Sequence, residues 1–146
     1  MSDSYPLVVR GARIYCTFGS HMRRLDMPVG HGSYIREKPQ MHAGDCKVGL
    51  DANIPPFGAC RAPDNKSTKI LIHSEEDLVP LADEKGNPVK PTMPITGATC
   101  SPELGPKWCD AQADTLVDGV PALTVASTIT CIYSGVIGFI DDGQEV

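Results

Sequence analysis

Basic residues and aromatic residues are both scarce in this sequence, and each shortage argues against a class of protein. The 13 Lys and Arg are outnumbered by 18 Asp and Glu, which leaves a net charge of −5 with no basic run to offset it. Because nucleic-acid binding needs a basic face that neutralises phosphates, this balance argues against a nucleic-acid partner. Aromatic residues make up only 5% of the chain, which predicts a lean core.

An export signal and a membrane helix are also missing. The N-terminus has Asp3 where a signal peptide has basic residues, and its apolar run covers only residues 7–9. The longest uncharged stretch, residues 119–140, contains Pro121 and three glycines, so it does not read as a membrane helix. We therefore expect a protein made in the cytoplasm that does not insert into a membrane, and that needs another machine if it leaves the cell.

Glycine and proline, in contrast, are abundant. The chain has 14 glycines and 13 prolines among its 146 residues. Because both residues interrupt helices and favour tight turns, they predict an all-β fold of short strands. The length predicts one domain over residues 1–146. Residues 66–94 are polar and turn-rich, and we interpret this part of the chain as a variable surface insertion.

Two segments have the alternation of half-buried strands. Apolar and polar side chains alternate over residues 11–18, and again over residues 123–133. A turn at Ser134 and Gly135 then leads into a β-rich stretch over residues 136–140. The second segment therefore predicts a C-terminal hairpin whose return strand closes the domain.

A short pattern occurs twice in the chain. Residues 34–41 and residues 116–123 each contain two apolar residues, a three-residue turn, a proline, any residue and an apolar residue. Each copy predicts a hairpin tip. Repeated hairpins of this kind would build a small pseudo-symmetric β structure.

Several segments, taken together and in order, resemble the PAAR-like family, which was long catalogued as a domain of unknown function. The resemblance covers most of residues 7–144. The sequence departs from the family pattern at the insertion over residues 66–94 and at Ser134, where a second glycine is usual. The segments that carry the resemblance are residues 11–19 (GARIYCTFG), 53–60 (NIPPFGAC), 99–102 (TCSP) with Trp108 downstream, and 119–144.

The resemblance implies a small cone of β-hairpins with approximate threefold pseudo-symmetry. Proteins of this family cap and sharpen the trimeric β-helical spike of contractile injection machines, such as type VI secretion systems and phage-tail-like particles. It therefore implies a structural tip protein, one monomer on a spike trimer, assembled in the bacterial cytoplasm and delivered outside the cell by the machine. An adaptor that carries a separate effector on the spike, with residues 66–94 as its loading surface, is the alternative.

Cysteine and histidine side chains are the candidate chemistry. PAAR tips hold a zinc ion near the apex with His and Cys ligands, and zinc would brace a cone whose core is small. No CxxC or HxxxH pair signals zinc locally, so disulfides formed after secretion and simple burial of thiols stay open as alternatives. The candidate ligands are the cysteines of the matching segments with one histidine as a substitute: Cys16, Cys60, Cys100, Cys131 and His42.

A small cysteine-dependent enzyme is the rival class of function. Cys46 follows Asp45 and lies near His42, which is the best local set for a thiol nucleophile. No glycine elbow or oxyanion-hole motif accompanies this set, so we expect no enzymatic activity.

The histidines have simpler interpretations as well. His42 could share a metal with Cys46 on one turn, but a solvated loop position explains it more simply. His21 and His31 are expected to be exposed in glycine-rich loops, and His73 is expected at the surface.

Overall fold

A computed structural model describes residues 5–27, 29–49, 52–74, 76–79, 81–82, 84–89, 93–100, 102–105 and 107–144. These residues form short β-strands and no helix, which confirms the predicted all-β fold. No helix that could cross a membrane is found among them. The strands are β1 (Arg13–Cys16), β2 (Arg23–Arg24), β3 (Tyr34–Ile35), β4 (Lys38–Pro39), β5 (Ala59–Cys60), β6 (Lys69–Ile72), β7 (Leu81–Ala82), β8 (Pro88–Val89), β9 (Ile95–Thr99), β10 (Gln112–Val117), β11 (Val120–Ala122), β12 (Ile129–Thr130) and β13 (Val136–Phe139).

The largest sheet joins the two ends of the chain. Its antiparallel strands lie in the order β12-β13-β1-β2, and Ile14 of β1 is paired with Phe139 of β13. Ala12 and Ile14 are fully buried while Arg13 between them is partly exposed, so the predicted alternation is confirmed. The predicted C-terminal hairpin is also present as β12 and β13, and its return strand β13 lies between β12 and β1.

The strand predicted over residues 123–133 is shorter than its alternation indicates. Within residues 123–133, the strand β12 covers only Ile129 and Thr130. Thr124 and Ser127 close a turn instead, because the Ser127 N–H donates to the Thr124 carbonyl at 3.0 Å and the Ser127 Oγ accepts the Thr124 N–H at 3.1 Å. A serine that satisfies a nearby backbone N–H competes with strand pairing in this way.

Part of the predicted insertion over residues 66–94 is built into a sheet. β6 pairs with β9 from Lys69 to Ile72, and β5 pairs with the far edge of β9, which gives the order β5-β9-β6. The next two strands, β7 and β8, pair only with each other in the described part of the chain. The role of residues 66–94 as a loading surface for an effector stays a prediction.

Both copies of the repeated pattern are hairpins with the same register. Tyr34 is paired with Pro39 in the first copy, and Leu116 is paired with Pro121 in the second. The predicted hairpin tips are therefore confirmed, although each turn has two residues rather than three. The reason is that the third turn residue of each copy already pairs with the preceding strand. The turn residues all have positive φ, as a type I′ turn requires: Arg36 (50°), Glu37 (68°), Asp118 (49°) and Gly119 (79°).

Three distant segments meet in a closed ring of backbone hydrogen bonds. The Val8 N–H donates to the Leu123 carbonyl at 2.9 Å, and the Leu123 N–H donates to the Met41 carbonyl at 3.0 Å. The Met41 N–H closes the ring by donating to the Val8 carbonyl at 3.1 Å. All three residues are 0% exposed, so burial of their apolar side chains stabilises the ring in addition to its backbone hydrogen bonds.

The same hydrogen bonds recur around this ring in each of its three segments, residues 6–12, 39–45 and 121–127, which we call the ring segments. Each segment begins with a proline. In each segment, the residue two positions after its ring residue donates its N–H to the carbonyl of the proline that begins the next segment. These bonds join Arg10 to Pro39 (2.9 Å), Ala43 to Pro121 (2.9 Å) and Val125 to Pro6 (3.1 Å). Each segment then turns with one further bond: Ala12 to Val9 (3.2 Å), Asp45 to His42 (3.0 Å) and Ser127 to Thr124 (3.0 Å).

The single tryptophan connects the second ring segment to the largest sheet. Trp108 is 1% exposed and its ring stacks on Phe139 of β13 with 5.0 Å between centroids. Its backbone N–H donates to the Ala43 carbonyl at 2.8 Å, and its indole N–H donates to the Asp45 carbonyl at 2.9 Å. The turn that contains His42 and Asp45 is therefore held at two points by one buried residue, once through its backbone and once through its side chain.

Asp141 joins the end of β13 to the start of β1. Its Oδ2 accepts from the Arg13 guanidinium at 2.6 Å, and its Oδ1 accepts the backbone N–H groups of Arg13 at 2.9 Å and Gly143 at 3.1 Å. Partial burial by itself raises the pKa of Asp141, but these hydrogen bonds and the Arg13 charge outweigh it and hold that pKa below its usual value.

The substitution Asp141→Asn tests this contribution to stability. A carboxyl whose pKa is lowered by folding stabilises the protein above its unfolded pKa of about 3.9, and the stabilisation is lost as pH falls through the folded pKa. We expect the variant to have a lower free energy of unfolding than the wild type at pH ~7, and the difference to vanish at pH ~2. Urea unfolding at several pH values measures it, with Asp64→Asn, at an exposed position, as the control. A difference that stays constant with pH would contradict this account.

Candidate metal centres

Four of the predicted ligand residues line one small cavity. Cys16 lies at the end of β1, Cys60 at the end of β5, Cys100 just after β9 and Cys131 just after β12. The cavity has a volume of about 20 Å³, which is room for about one water molecule or ion. The fold therefore brings together four cysteines that are separated by up to 115 residues, since 131 − 16 = 115. We call this group the thiol cavity.

The strand register and one glycine explain why these thiols converge. Cys16 is paired with Ile137 of β13, and Cys60 is bridged to Gly19, which follows β1 closely. Gly135 leaves the space that the Cys16 thiol occupies, because a Cβ at this position would lie 2.8 Å from the Cys16 Sγ. A side chain at position 135 would therefore displace the Cys16 thiol.

Burial favours the protonated thiol at two of the four cysteines of the thiol cavity. Burial raises the pKa of Cys16, and it raises the pKa of Cys100 to about 11 although the Phe57 N–H donates to the Cys100 Sγ at 3.2 Å. All six cysteines are free. A metal that binds here must displace protons from the thiols, so its binding would weaken as pH falls.

The sulfur atoms of the thiol cavity lie farther apart than coordination of one metal ion requires. Around tetrahedral zinc with bonds of about 2.3 Å, thiolate sulfurs lie about 3.8 Å apart. Among the described residues, three ligand atoms from His, Cys, Asp or Glu lie within 4.8 Å of one another only at His31, His42 and Asp45. The residue types of the thiol cavity suit zinc, but its sulfurs must move inward to bind one ion.

His42 lies apart from the thiol cavity, in a cluster with His31 and Asp45. The two imidazole rings stack with 3.9 Å between centroids and 20° between planes. The His31 Nε2 lies 2.9 and 3.0 Å from the two carboxylate oxygens of Asp45, and the His42 Nδ1 lies 3.7 Å from Asp45 Oδ2. This group, which we call the histidine cluster, could bind a metal ion.

Sequence reasoning missed the histidine cluster because it expected exposed histidines. His31 and His42 have side chains only 19% and 12% exposed, since each ring covers the other. His21 is 1% exposed and bonds to the Ser20 Oγ at 2.7 Å and the Ser74 carbonyl at 3.0 Å, so its expected exposure was wrong. His73 is exposed, as predicted. A histidine three residues before an aspartate was the signal available in the sequence.

The local set around Cys46 lacks the features of an activated nucleophile. Its Sγ donates to the Gly105 carbonyl at 3.5 Å. Burial and the neighbouring Asp45 carboxylate both raise the pKa of Cys46, so the reactive thiolate is disfavoured. The expectation that the chain is not an enzyme stays a prediction.

Comparison with protein families matches most of the chain to one family model. The model of a family described as "Domain of unknown function (DUF4280)" matches residues 8–144. The chain belongs to this family. No curated protein and no solved structure matches it. The matched range contains the bonded ring of Val8, Met41 and Leu123, the thiol cavity and the histidine cluster, so these three features lie within the DUF4280 domain.

Thiol reactivity tests how this DUF4280 domain shields its cysteines. Cys109 is exposed, whereas the other five cysteines are buried or partly buried. We expect one thiol to react with Ellman's reagent at least about tenfold faster than the rest at neutral pH, because access and thiolate fraction control the rate. Cys109→Ser should abolish the fast phase and Cys100→Ser should leave it unchanged. A fast phase that survives Cys109→Ser would contradict the described exposure.

Proposed function

We propose that this chain is a structural tip protein that caps the trimeric β-helical spike of a contractile injection system, as its resemblance to PAAR-like proteins implies. The observation that supports this most strongly is the closed ring of hydrogen bonds among Val8, Met41 and Leu123. In this proposal the chain is assembled on the spike in the cytoplasm and leaves the cell with it.

The ring suits a monomer that contacts three identical chains. A trimeric spike presents three copies of every surface around its axis. One monomer can make the same contact with all three copies only if it has three equivalent segments. The ring segments repeat the same backbone hydrogen bonds in cyclic order, which supports approximate threefold pseudo-symmetry.

A cap also answers a physical need of the spike. The open end of a β-helix exposes backbone donors and acceptors that have no partner, and such an edge promotes aggregation. A domain built from short strands and two-residue hairpins can offer backbone groups to each of the three spike chains. This need is met without catalysis, in agreement with the expected absence of enzymatic activity.

Two hairpins offer the same apolar contact at equivalent positions. Tyr34 in β3 and Leu116 in β10 are each 60% exposed, and each is paired with a proline of its ring segment. Exposed apolar side chains that recur at equivalent positions of a repeat fit a partner that is itself repeated. We place these two side chains at the spike interface.

Binding to the spike trimer from the same genome tests the proposal. We expect one chain per trimer, and at least about 100-fold weaker binding for Tyr34→Asp with Leu116→Asp, because burial of each apolar side chain contributes about 1.5–3 kcal/mol. Leu71→Asp is the matched control, since Leu71 is also 60% exposed but lies outside the ring segments and their hairpins. Analytical ultracentrifugation gives the stoichiometry and calorimetry gives the affinity.

Two results would count against the tip proposal. The first is failure of the wild-type chain to bind any spike trimer of its genome. The second is a double variant that binds as tightly as Leu71→Asp while its melting temperature is unchanged.

We also propose that the thiol cavity holds a structural zinc ion. The convergence of Cys16, Cys60, Cys100 and Cys131 on a space of about 20 Å³ supports this ligand set. Zinc bound by four thiolates would cross-link β1, β5, β9 and β12 and stabilise a lean core.

Protein purified from a reducing cytosol tests the zinc proposal. We expect a zinc equivalent that Cys60→Ser removes and Cys109→Ser retains, and a melting temperature that a chelator lowers and zinc restores. Elemental analysis, thermal melting and a thiol count after denaturation are the measurements. Fewer than six free thiols without zinc would indicate disulfides, and six free thiols with no response to chelator would indicate simple burial. Either outcome rejects zinc and leaves the tip proposal intact.

A further inference from the structure

We infer that His31, His42 and Asp45 bind one divalent transition-metal ion, at a site separate from the thiol cavity and independent of the proposed tip function. Their three ligand atoms lie within 4.8 Å of one another. Tetrahedral coordination with bonds of about 2.0–2.1 Å places ligand atoms about 3.3 Å apart. To hold an ion, the ligand atoms therefore have to close by no more than about 1.5 Å. The two stacked rings also have to tilt, because each imidazole lone pair lies in the plane of its ring.

The hydrogen bonds of the cluster leave a place for a cation. The His42 Nδ1 accepts the Gly44 N–H at 2.9 Å, so this nitrogen carries no proton. The same nitrogen lies 3.7 Å from Asp45 Oδ2, so two hydrogen-bond acceptors face each other. A cation that takes the Nδ1 lone pair in place of the Gly44 N–H would replace their repulsion with coordination. At His31, the same ion would replace the proton that Nε2 shares with the Asp45 carboxylate.

The other ring segments show that the turn itself does not need a carboxylate. Asp45 Oδ2 accepts the His42 N–H at 2.8 Å, and in the third ring segment the Ser127 Oγ accepts the Thr124 N–H at 3.1 Å. The first ring segment makes its turn with Ala12, whose side chain has no acceptor. Because the turn also forms with a hydroxyl or a methyl group at this position, the turn does not explain why a carboxylate is present at Asp45. The contacts of this carboxylate with His31 and His42 explain its presence.

The surroundings of the cluster are those of a metal site. A metal-bound histidine commonly donates its second ring N–H to a carboxylate. Asp118, at the tip of the β10–β11 hairpin, faces the His31 Nδ1 with its Oδ2 at 3.8 Å, which is within ion-pair distance but longer than a hydrogen bond. Trp108 fixes the turn that contains His42 and Asp45 through two hydrogen bonds. The Asp45 side chain is 9% exposed, so the ligands are shielded while one side of the histidines remains open to solvent.

The ligand set selects the class of metal. Two imidazole nitrogens and one carboxylate oxygen suit zinc, cobalt or nickel, whereas calcium and magnesium prefer ligands that are all oxygen. The carboxylates of Asp45 and Asp118 balance the two charges of the ion. A water molecule would supply the fourth ligand of a tetrahedral ion.

Titration of the full chain with Zn²⁺ and with Co²⁺ tests this site. We expect His31→Gln, His42→Gln and Asp45→Ser each to weaken one Zn²⁺ equivalent at least about tenfold, and Asp118→Asn to weaken the same equivalent about tenfold. Asp45→Ser introduces the residue type that occupies the equivalent position of the third ring segment, Ser127. It removes the carboxylate and still provides an oxygen that can accept the His42 N–H. His73→Gln changes an exposed histidine outside the cluster and should leave the affinity unchanged. Calorimetry measures the affinity, and thermal melting shows that each variant is folded.

Cobalt absorption distinguishes this site from the thiol cavity. Cobalt bound to thiolates has an intense sulfur-to-metal charge-transfer band in the near ultraviolet, and cobalt bound to nitrogen and oxygen lacks it. We expect a cobalt equivalent without this band that His42→Gln removes. The inference is wrong if every bound cobalt shows the thiolate band, or if folded His31→Gln and His42→Gln variants bind Zn²⁺ as tightly as His73→Gln.

Discussion

The closed ring of hydrogen bonds among Val8, Met41 and Leu123 holds three distant parts of the chain together in the core. Each residue donates to one neighbour and accepts from the other, and all three are fully buried. Loss of any one segment would leave a buried donor and a buried acceptor without partners, each at a cost of about 1–3 kcal/mol. The beginning, middle and end of the chain must therefore be in place together.

Around this ring the backbone repeats while the side chains do not. The same turn contains Ala12 in the first ring segment, Asp45 in the second and Ser127 in the third. Only the second segment combines a charged side chain with a histidine, and only that turn is held by Trp108. The repeated backbone hydrogen bonds fit the proposed trimeric partner, whereas the one segment with a charged side chain and a histidine is where we propose a metal site.

The two candidate metal centres differ in their chemistry. The thiol cavity is small and lined mainly by apolar and thiol groups, and burial raises the pKa of Cys100, so a metal that binds there must displace the thiol proton. The histidine cluster combines two nitrogens and a carboxylate near the surface, where His31 and His42 cover each other. The first would stabilise the core of a DUF4280 domain, and the second would bind an ion that exchanges with solvent.

Local patterns in the sequence determined the all-β class, the strand β1, the C-terminal hairpin and the two hairpin tips. These features depend on residues that are close in the chain, because alternation and turn chemistry act over a few positions. The tertiary structure alone shows that Pro6 and Val8 make the same backbone hydrogen bonds as the corresponding residues of the other two ring segments. The partners of these bonds are far along the chain, so no local pattern indicates them. The stacking of His31 on His42 and the burial of His21 were likewise decided by loops that fold back on the core, and no periodicity records such contacts.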